Sequence, residues 1–357
     1  ILFYNLGKFT QGSTLLSLSG TDKAGLVNAG TFLSSTGCIL GGSSLGAIFI
    51  FNTPTGVFEN NCTLSITSNG SPFIKNQGRY THLSGGINAP SVGLFFENEN
   101  YAHINIPMIV GSMGRVFVNS DTLILGPQAS ITSRPSGGHN IPLTNTSTGY
   151  VHSEADFTIR NTTIIDNAGK IIIGSQSSIS GVDMGTPIVN TGNLTNEGTV
   201  NFNRFGGYGI DNSGTFVNKG RFETGNSDKS IHNNGGTIEN AGVMEIDSVF
   251  RDAVLQEGSG SSFTNTATGQ INIDFVFGNG INNTAGSFVN NGEMMIAQTD
   301  TVALSGINNA GTFQNNKLMR IGGVGKIKQH GIYNTGTLPT TTDSRKVLQS
   351  AEGSGIT

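Results

Sequence analysis

Residues Ile188–Phe202 read IVNTGNLTNEGTVNF, and this sentence of sequence returns along the chain. Its form is apolar, x, Asn, x, Gly, Thr or Ser, Phe or Leu, x, Asn, x, Gly, x, apolar, x, apolar. Copies stand at Ile210–Phe222, Ile231–Ile246, Ile281–Ile296, Ile307–Ile321 and Ile332–Leu338, with an early one at Leu26–Leu40. A variant with Asn-Thr-x-Thr-Gly occupies Asn52–Gly56, Asn145–Gly149 and Asn265–Gly269. Where copies adjoin, they lie 21–26 residues apart. That period is too short for a helical-pair repeat, and the leucine-rich frame is not met. Each copy instead holds two or three short runs of period-2 alternation, such as Thr199–Phe202 and Glu293–Ile296, separated by Asn and Gly turn signals. A rung of three short strands joined at Asn/Gly corners fits this count.

The chain therefore reads as all-β, a single-stranded parallel β-helix of about 13–15 rungs, with the right-handed crossover usual for parallel strands. The expected solenoid covers residues 1–338, with less regular rungs at 92–180. Residues 339–357 leave the repeat and read as a cap or linker. Stacked rungs place equivalent residues on top of one another about 4.8 Å apart. Phe32, Phe216, Phe263, Phe288 and Phe313 share one slot, with Leu194, Ile238 and Leu338 elsewhere in it, which predicts an interior ladder. Asn28, Asn190, Asn212, Asn233, Asn309 and Asn334 share a corner slot. Asn tolerates the left-handed backbone expected at a corner, and stacked amides hydrogen-bond along the axis. Gly30, Gly192, Gly214, Gly311 and Gly336 follow two residues later, where a Cβ would obstruct the turn. All of these residues read as scaffold.

Composition agrees with a folded, polar-surfaced chain. Only 12% of the 357 residues are charged, Trp is absent and Gly reaches 52, yet 35% are hydrophobic and recur in pattern. Disorder needs fewer apolar residues and more net charge. The net charge is −4 and no Lys/Arg cluster appears, so the electrostatic footprint of a nucleic-acid or anionic-membrane partner is missing. No run of about 18 apolar residues suggests a spanning helix. Ile1–Tyr4 shows neither a start Met nor the build of a signal peptide, which suggests a mature product or a segment of a longer one.

The residues that could carry chemistry are few. Cys38 and Cys62 lie 24 residues apart, one rung, and within disulfide reach if they stack; they are read here as two reduced thiols in an apolar ladder. His82, His103, His139, His152, His232 and His330 show no ligand spacing and read as surface or corner residues. Three acid pairs, Glu97/Glu99, Glu154/Asp156 and Glu245/Asp247, are spaced i, i+2 and share a strand face, while Glu223 and Glu245 would stack on neighbouring rungs. A polysaccharide lyase or hydrolase built on this fold needs such acids clustered. The Gly-Gly-His-Asn run at Gly137–Asn140 is similar to one element of pectin-type hydrolases, whose other motifs are missing. The calcium-binding nonapeptide is missing too. Thr31, Thr215, Thr237, Thr312 and Thr337 share a slot, but Asn193, Ser262 and Ser287 interrupt the regular Thr ladder an ice-binding face needs. Hence no catalytic, cofactor-binding or metal-binding residue is assigned, and no cofactor is expected.

The repeat resembles those of large β-helical adhesins and haemagglutinin-like surface proteins of bacteria, including long surface proteins of the Bacteroidota type. It covers about two thirds of the chain and consists of scaffold positions. The resemblance implies export, display at the cell surface and attachment to other cells or surfaces, through a glycan or protein target. The apolar start Ile1–Tyr4 would leave an uncapped strand edge, which invites pairing with further copies, so a homo-oligomer or polymer is expected. The alternative function is a polysaccharide lyase or glycoside hydrolase.

Overall fold

A computed structural model describes residues 1–19, 25–43, 48–66, 73–89, 94–110, 115–133, 141–160, 165–338 and 347–349. Among them the regular structure is all strand, and the strand pairings are parallel. Each turn carries three short strands, as in Ile281–Asn283, Ser287–Asn290 and Glu293–Ile296. The first and third strands stack into one sheet and the second into another. The chain forms two compact units, Ile1–Ile179 and Ser180–Thr357. The second-strand sheet contributes eight strands to the first unit and six to the second. Among the described residues of 92–180, where the repeat sentence is less regular, the same turns continue, with Ala102, Leu123, Val151 and Ile171 stacked in one inward column. An inward slot asks only for an apolar side chain that fits, so identity drifts there while register persists. Of the expected cap at 339–357, only Val347–Gln349 lies within the described residues; it pairs with Met319–Ile321.

The core is built as stacks. Phe9, Phe32, Phe58 and Tyr80 pile face to face in the first unit, with centroids 5.2, 4.5 and 5.4 Å apart. Phe263, Phe288 and Phe313 do the same in the second, and Phe216 occupies the same sheet position. Apart from half-buried Phe9 at the end of the first stack, these rings are buried because the alternation points every second residue of the strand inward.

Two amide ladders run beside them. In the first unit the side-chain Nδ2 of Asn5, Asn28, Asn52, Asn76, Asn98, Asn119 and Asn145 each donates to the Oδ1 of the next, ending at Asn167, at 2.8–2.9 Å. In the second unit Asn190, Asn212 and Asn233 continue the pattern, and so do Asn283, Asn309 and Asn334. Gln256 stands between Asn233 and Asn283; it donates to Asn283, but its own Oε1 is buried with no partner among the described residues. A second ladder, Asn196–Asn218–Asn240–Asn265–Asn290–Asn315, runs through the second-strand sheet of the second unit, from the second Asn of the repeat.

The left-handed corner expected at the first Asn slot is not there. Among the described residues the non-glycine positive φ values fall at Arg204 and Asn226, inside the long strands Thr199–Asn212 and Arg221–Asn234, and at Ser248 and Ala297, just after the strands Val243–Ile246 and Glu293–Ile296. The ladder asparagines are strand residues. They are selected because one short amide joins the turn below and the corner carbonyls at once: Asn52 Nδ2 reaches Asn76 Oδ1 at 2.8 Å, Arg79 O at 3.0 Å and Gly56 O at 3.1 Å. The glycine beside the Asn corner is needed for space. A Cβ on Gly214 would lie 2.2 Å from the carbonyl oxygen of Gly192, and one on Gly30 would lie 2.1 Å from that of Gly7.

Cys38 and Cys62 are joined as a disulfide between adjacent turns, with Cα atoms 4.7 Å apart, so the reading of two reduced thiols is corrected. Rung stacking alone sets that separation, which falls in the range a disulfide bridges. Reduction, or Cys38→Ser with Cys62→Ser, is expected to lower the stability of the first unit by about 2–4 kcal/mol. Urea denaturation with and without a thiol reductant measures this; coincident midpoints would contradict it.

Candidate functional site

The acid pairs from the sequence are all placed, and each is engaged with its neighbours. Lys75 spans Glu97 and Glu99, at 3.4 and 2.6 Å. Glu154 accepts from the Gln176 backbone N–H at 2.8 Å and contacts His152 at 3.2 Å, while Asp156 accepts from the Ser178 N–H at 3.0 Å. In the second unit Arg221 pairs with both Glu223 and Glu245, which relieves the like-charge stack. Asp247 caps two N–H groups, that of Ser248 at 2.7 Å and that of Phe275 on the next turn at 3.2 Å. Asp274 does likewise for Thr299 and Asp300, both at 3.0 Å.

Glu245, Asp247 and Asp274 nevertheless converge. With Asn272, Met295 and Gln298 they line an open groove of about 330 Å³ on the outer face of the third strands. The groove is rich in oxygen acceptors, and Arg221 stands at its edge through the contact with Glu245. Among the described residues no group of three or more His, Cys, Asp or Glu is placed to hold a metal ion. What the groove offers is a line of acceptors held in fixed positions by turn-to-turn hydrogen bonds.

Two histidines depart from the expected surface or corner placement. His82 takes an Asn slot of the second strand and is fully buried; burial lowers its pKa to about 4, so it is neutral. His232 is also buried, between Asp211 Oδ1 at 2.8 Å and Glu257 Oε2 at 3.0 Å, and stacks on the Tyr208 ring 4.3 Å away, over which Lys229 lies. Burial opposes its charge, but hydrogen bonds and Coulombic attraction from Asp211 and Glu257 outweigh burial and hold its pKa above the ordinary value. The bond to these carboxylates thus stabilises the fold fully below about pH 6.5 and is lost as pH rises through the raised folded value. Wild type is expected to lose stability relative to His232→Gln between about pH 6 and pH 8.5. Denaturation at both pH values tests this; a constant difference would contradict it. His103, His152 and His330 are partly exposed, and His139, with the whole Gly137–Asn140 run, lies outside the described residues.

The Thr slot forms an outward column of hydroxyls in the second unit, Thr215, Thr237, Ser262, Ser287, Thr312 and Thr337, in register. The sequence reading singled out nothing on the remaining outward face, where Phe250, Phe277, Leu304 and Tyr333 are exposed. Phe250, Phe277 and Leu304 fall in segments of variable length between repeat sentences, and Tyr333 takes a variable position of the copy Ile332–Leu338, so no periodic signal marks them.

No protein-family model, no curated protein and no solved structure matches this chain.

Proposed function

We propose that this chain is an extracellular structural or adhesive protein, a subunit or segment of a cell-surface appendage or filament that attaches to other cells or surfaces, in homo-oligomeric or polymeric form. The observation that carries this reading is the use of the acid pairs. The carboxylates a cleaving enzyme would draw on hold one turn to the next or pair with Lys75 and Arg221. A stack of like turns, tied by amide ladders, makes a stiff support for outward side chains. The Cys38–Cys62 disulfide supports an oxidising, extracellular setting.

A second reading, a polysaccharide lyase or glycoside hydrolase, draws on the groove where Glu245, Asp247 and Asp274 converge near Arg221. The two separate experimentally. Inert particles coated with the chain are expected to be held on cell layers or polysaccharide-coated surfaces under flow, more than bare particles are. Equal retention of coated and bare particles would count against adhesion.

A further inference from the structure

Among the described residues of the second unit, six large apolar side chains stand exposed: Phe250, Phe277, Leu304, Leu318, Val324 and Tyr333. Four of them gather on one face. Val249, Val276, Val302 and Ile327 stack inward as successive bridges, so the residues just after them, Phe250 and Phe277, point outward on adjacent turns. They are 61% and 50% exposed, and their rings lie parallel with centroids 5.7 Å apart. Phe275 packs edge-on against Phe277 at 4.9 Å. Farther along the same turns, Asn282, Asn308 and Tyr333 form one outward column in register, continuing a column whose earlier members His232 and Leu255 are buried. Tyr333 is 40% exposed, stacks on His330 at 5.2 Å, and together with Leu304 completes the four. Scattered apolar residues need no explanation, but a gathered patch marks a binding surface.

Between the rings lies a polar floor. Asp252 Oδ1 accepts from the backbone N–H and the side-chain amide of Asn279, both at 2.8 Å, and its Oδ2 accepts from Asn282 at 2.8 Å. Asn308 Nδ2 donates to Asn282 Oδ1 at 3.0 Å, and Asn279 Oδ1 accepts from the Ser305 N–H at 3.1 Å. These bonds fix the amides in place. They engage one N–H each of Asn282 and Asn308 and leave further donor and acceptor capacity on both half-exposed side chains. A depression here is lined by Asn279, Ser305, Asn308, Gln329, His330 and Tyr333, with no carboxylate, lysine or arginine in its lining.

Exposed ring faces and edges beside rigid amides, with the floor's carboxylate Asp252 already taken up by three N–H bonds from Asn279 and Asn282, suit a ligand that is apolar on its C–H faces and rimmed by hydroxyls. We propose that this face of the second unit, from Phe250 and Phe277 across to Asn308 and Tyr333, binds a neutral polysaccharide. The rings take the C–H faces of the pyranoses, and the amides of Asn282 and Asn308 take their hydroxyls. Stacked turns offer equivalent contacts at about 4.8 Å intervals, which suits a polymer better than a single sugar. This inference rests on the adhesive reading and names its target.

Affinity electrophoresis of the whole chain tests it, in gels carrying a neutral β-glucan, an α-glucan, a mannan, a galactan or the acidic polygalacturonate. At least one neutral polymer is expected to retard the chain. The Phe250→Ala/Phe277→Ala variant is expected to weaken that retardation about tenfold or more, and Tyr333→Ala to weaken it separately. All three side chains are exposed, so folding is preserved, and an unchanged far-ultraviolet circular dichroism spectrum checks it. Migration unaffected by every neutral polymer would overturn the proposal, as would equal retardation of wild type and both variants. Retardation by polygalacturonate alone would overturn the neutral ligand. Shortening of the polymer in the gel would instead overturn the adhesive reading, while loss of retardation in the variants would still locate the binding face.

Discussion

Replacing Asn265 by leucine is expected to lower the stability of the second unit by about 3–6 kcal/mol, although the two side chains are close in size. Asn265 is fully buried and works in four directions. Its Oδ1 accepts from Asn240 at 2.9 Å, and its Nδ2 faces Asn290 Oδ1 at 2.8 Å, Glu293 O at 3.0 Å and Gly269 O at 3.3 Å. Leucine strands donors and acceptors both above and below the substituted turn, each costing about 1–3 kcal/mol when buried without a partner. The outward neighbour Thr264 serves as control, since Thr264→Ala removes no ladder contact and is expected to change stability by about 0.5 kcal/mol or less. Urea denaturation reads the size of the loss, and hydrogen exchange over residues 237–296 places it. A change below about 1 kcal/mol for Asn265→Leu would mean that the ladder satisfies geometry without contributing stability.

Phe288→Ala is the matching test of the apolar stack, with an expected loss of about 3–5 kcal/mol. The ring is fully buried between Phe263 and Phe313, at 4.6 and 5.5 Å. Truncation removes its transfer term, opens a cavity, and breaks two ring contacts worth about 0.5–1.5 kcal/mol each. A register built turn on turn has little freedom to collapse into that cavity. The same unfolding measurement applies; a loss under about 1.5 kcal/mol would indicate that neighbouring turns close over the space.

What the sequence made legible follows from what stacking demands. Equivalent inward positions carry apolar side chains that fit the stack, and where the same residue recurs, as in the Phe slot around Phe216 and Phe288 and the Asn slot around Asn28 and Asn212, the repeat is visible and the fold was readable from it. The role of Asn was only half readable. Its recurrence signals a ladder, but left-handed corners occur at Ser248 and Ala297, which no repeated residue marks. The second ladder through Asn218 and Asn240 was present in the repeat sentence as its second Asn and needed only the register to be recognised. The disulfide turned on redox state, which a spacing of one rung does not decide. Outward residues obey no such periodicity. The acid pairs near Glu245 stood out by spacing alone, whereas Phe250 and Phe277 stand in segments of unequal length between copies and Tyr333 at a position of the repeat that carries no fixed residue.

Attachment without cleavage is the behaviour expected of this chain. It is tested most directly by holding chain-coated particles on polysaccharide-coated surfaces under flow and measuring the chain length of the same polymer before and after. Retained particles over a polymer of unchanged length is the predicted result. Polymer that shortens in contact with wild type, and stays intact with Glu245→Gln, would contradict the account and make the carboxylate groove an active site.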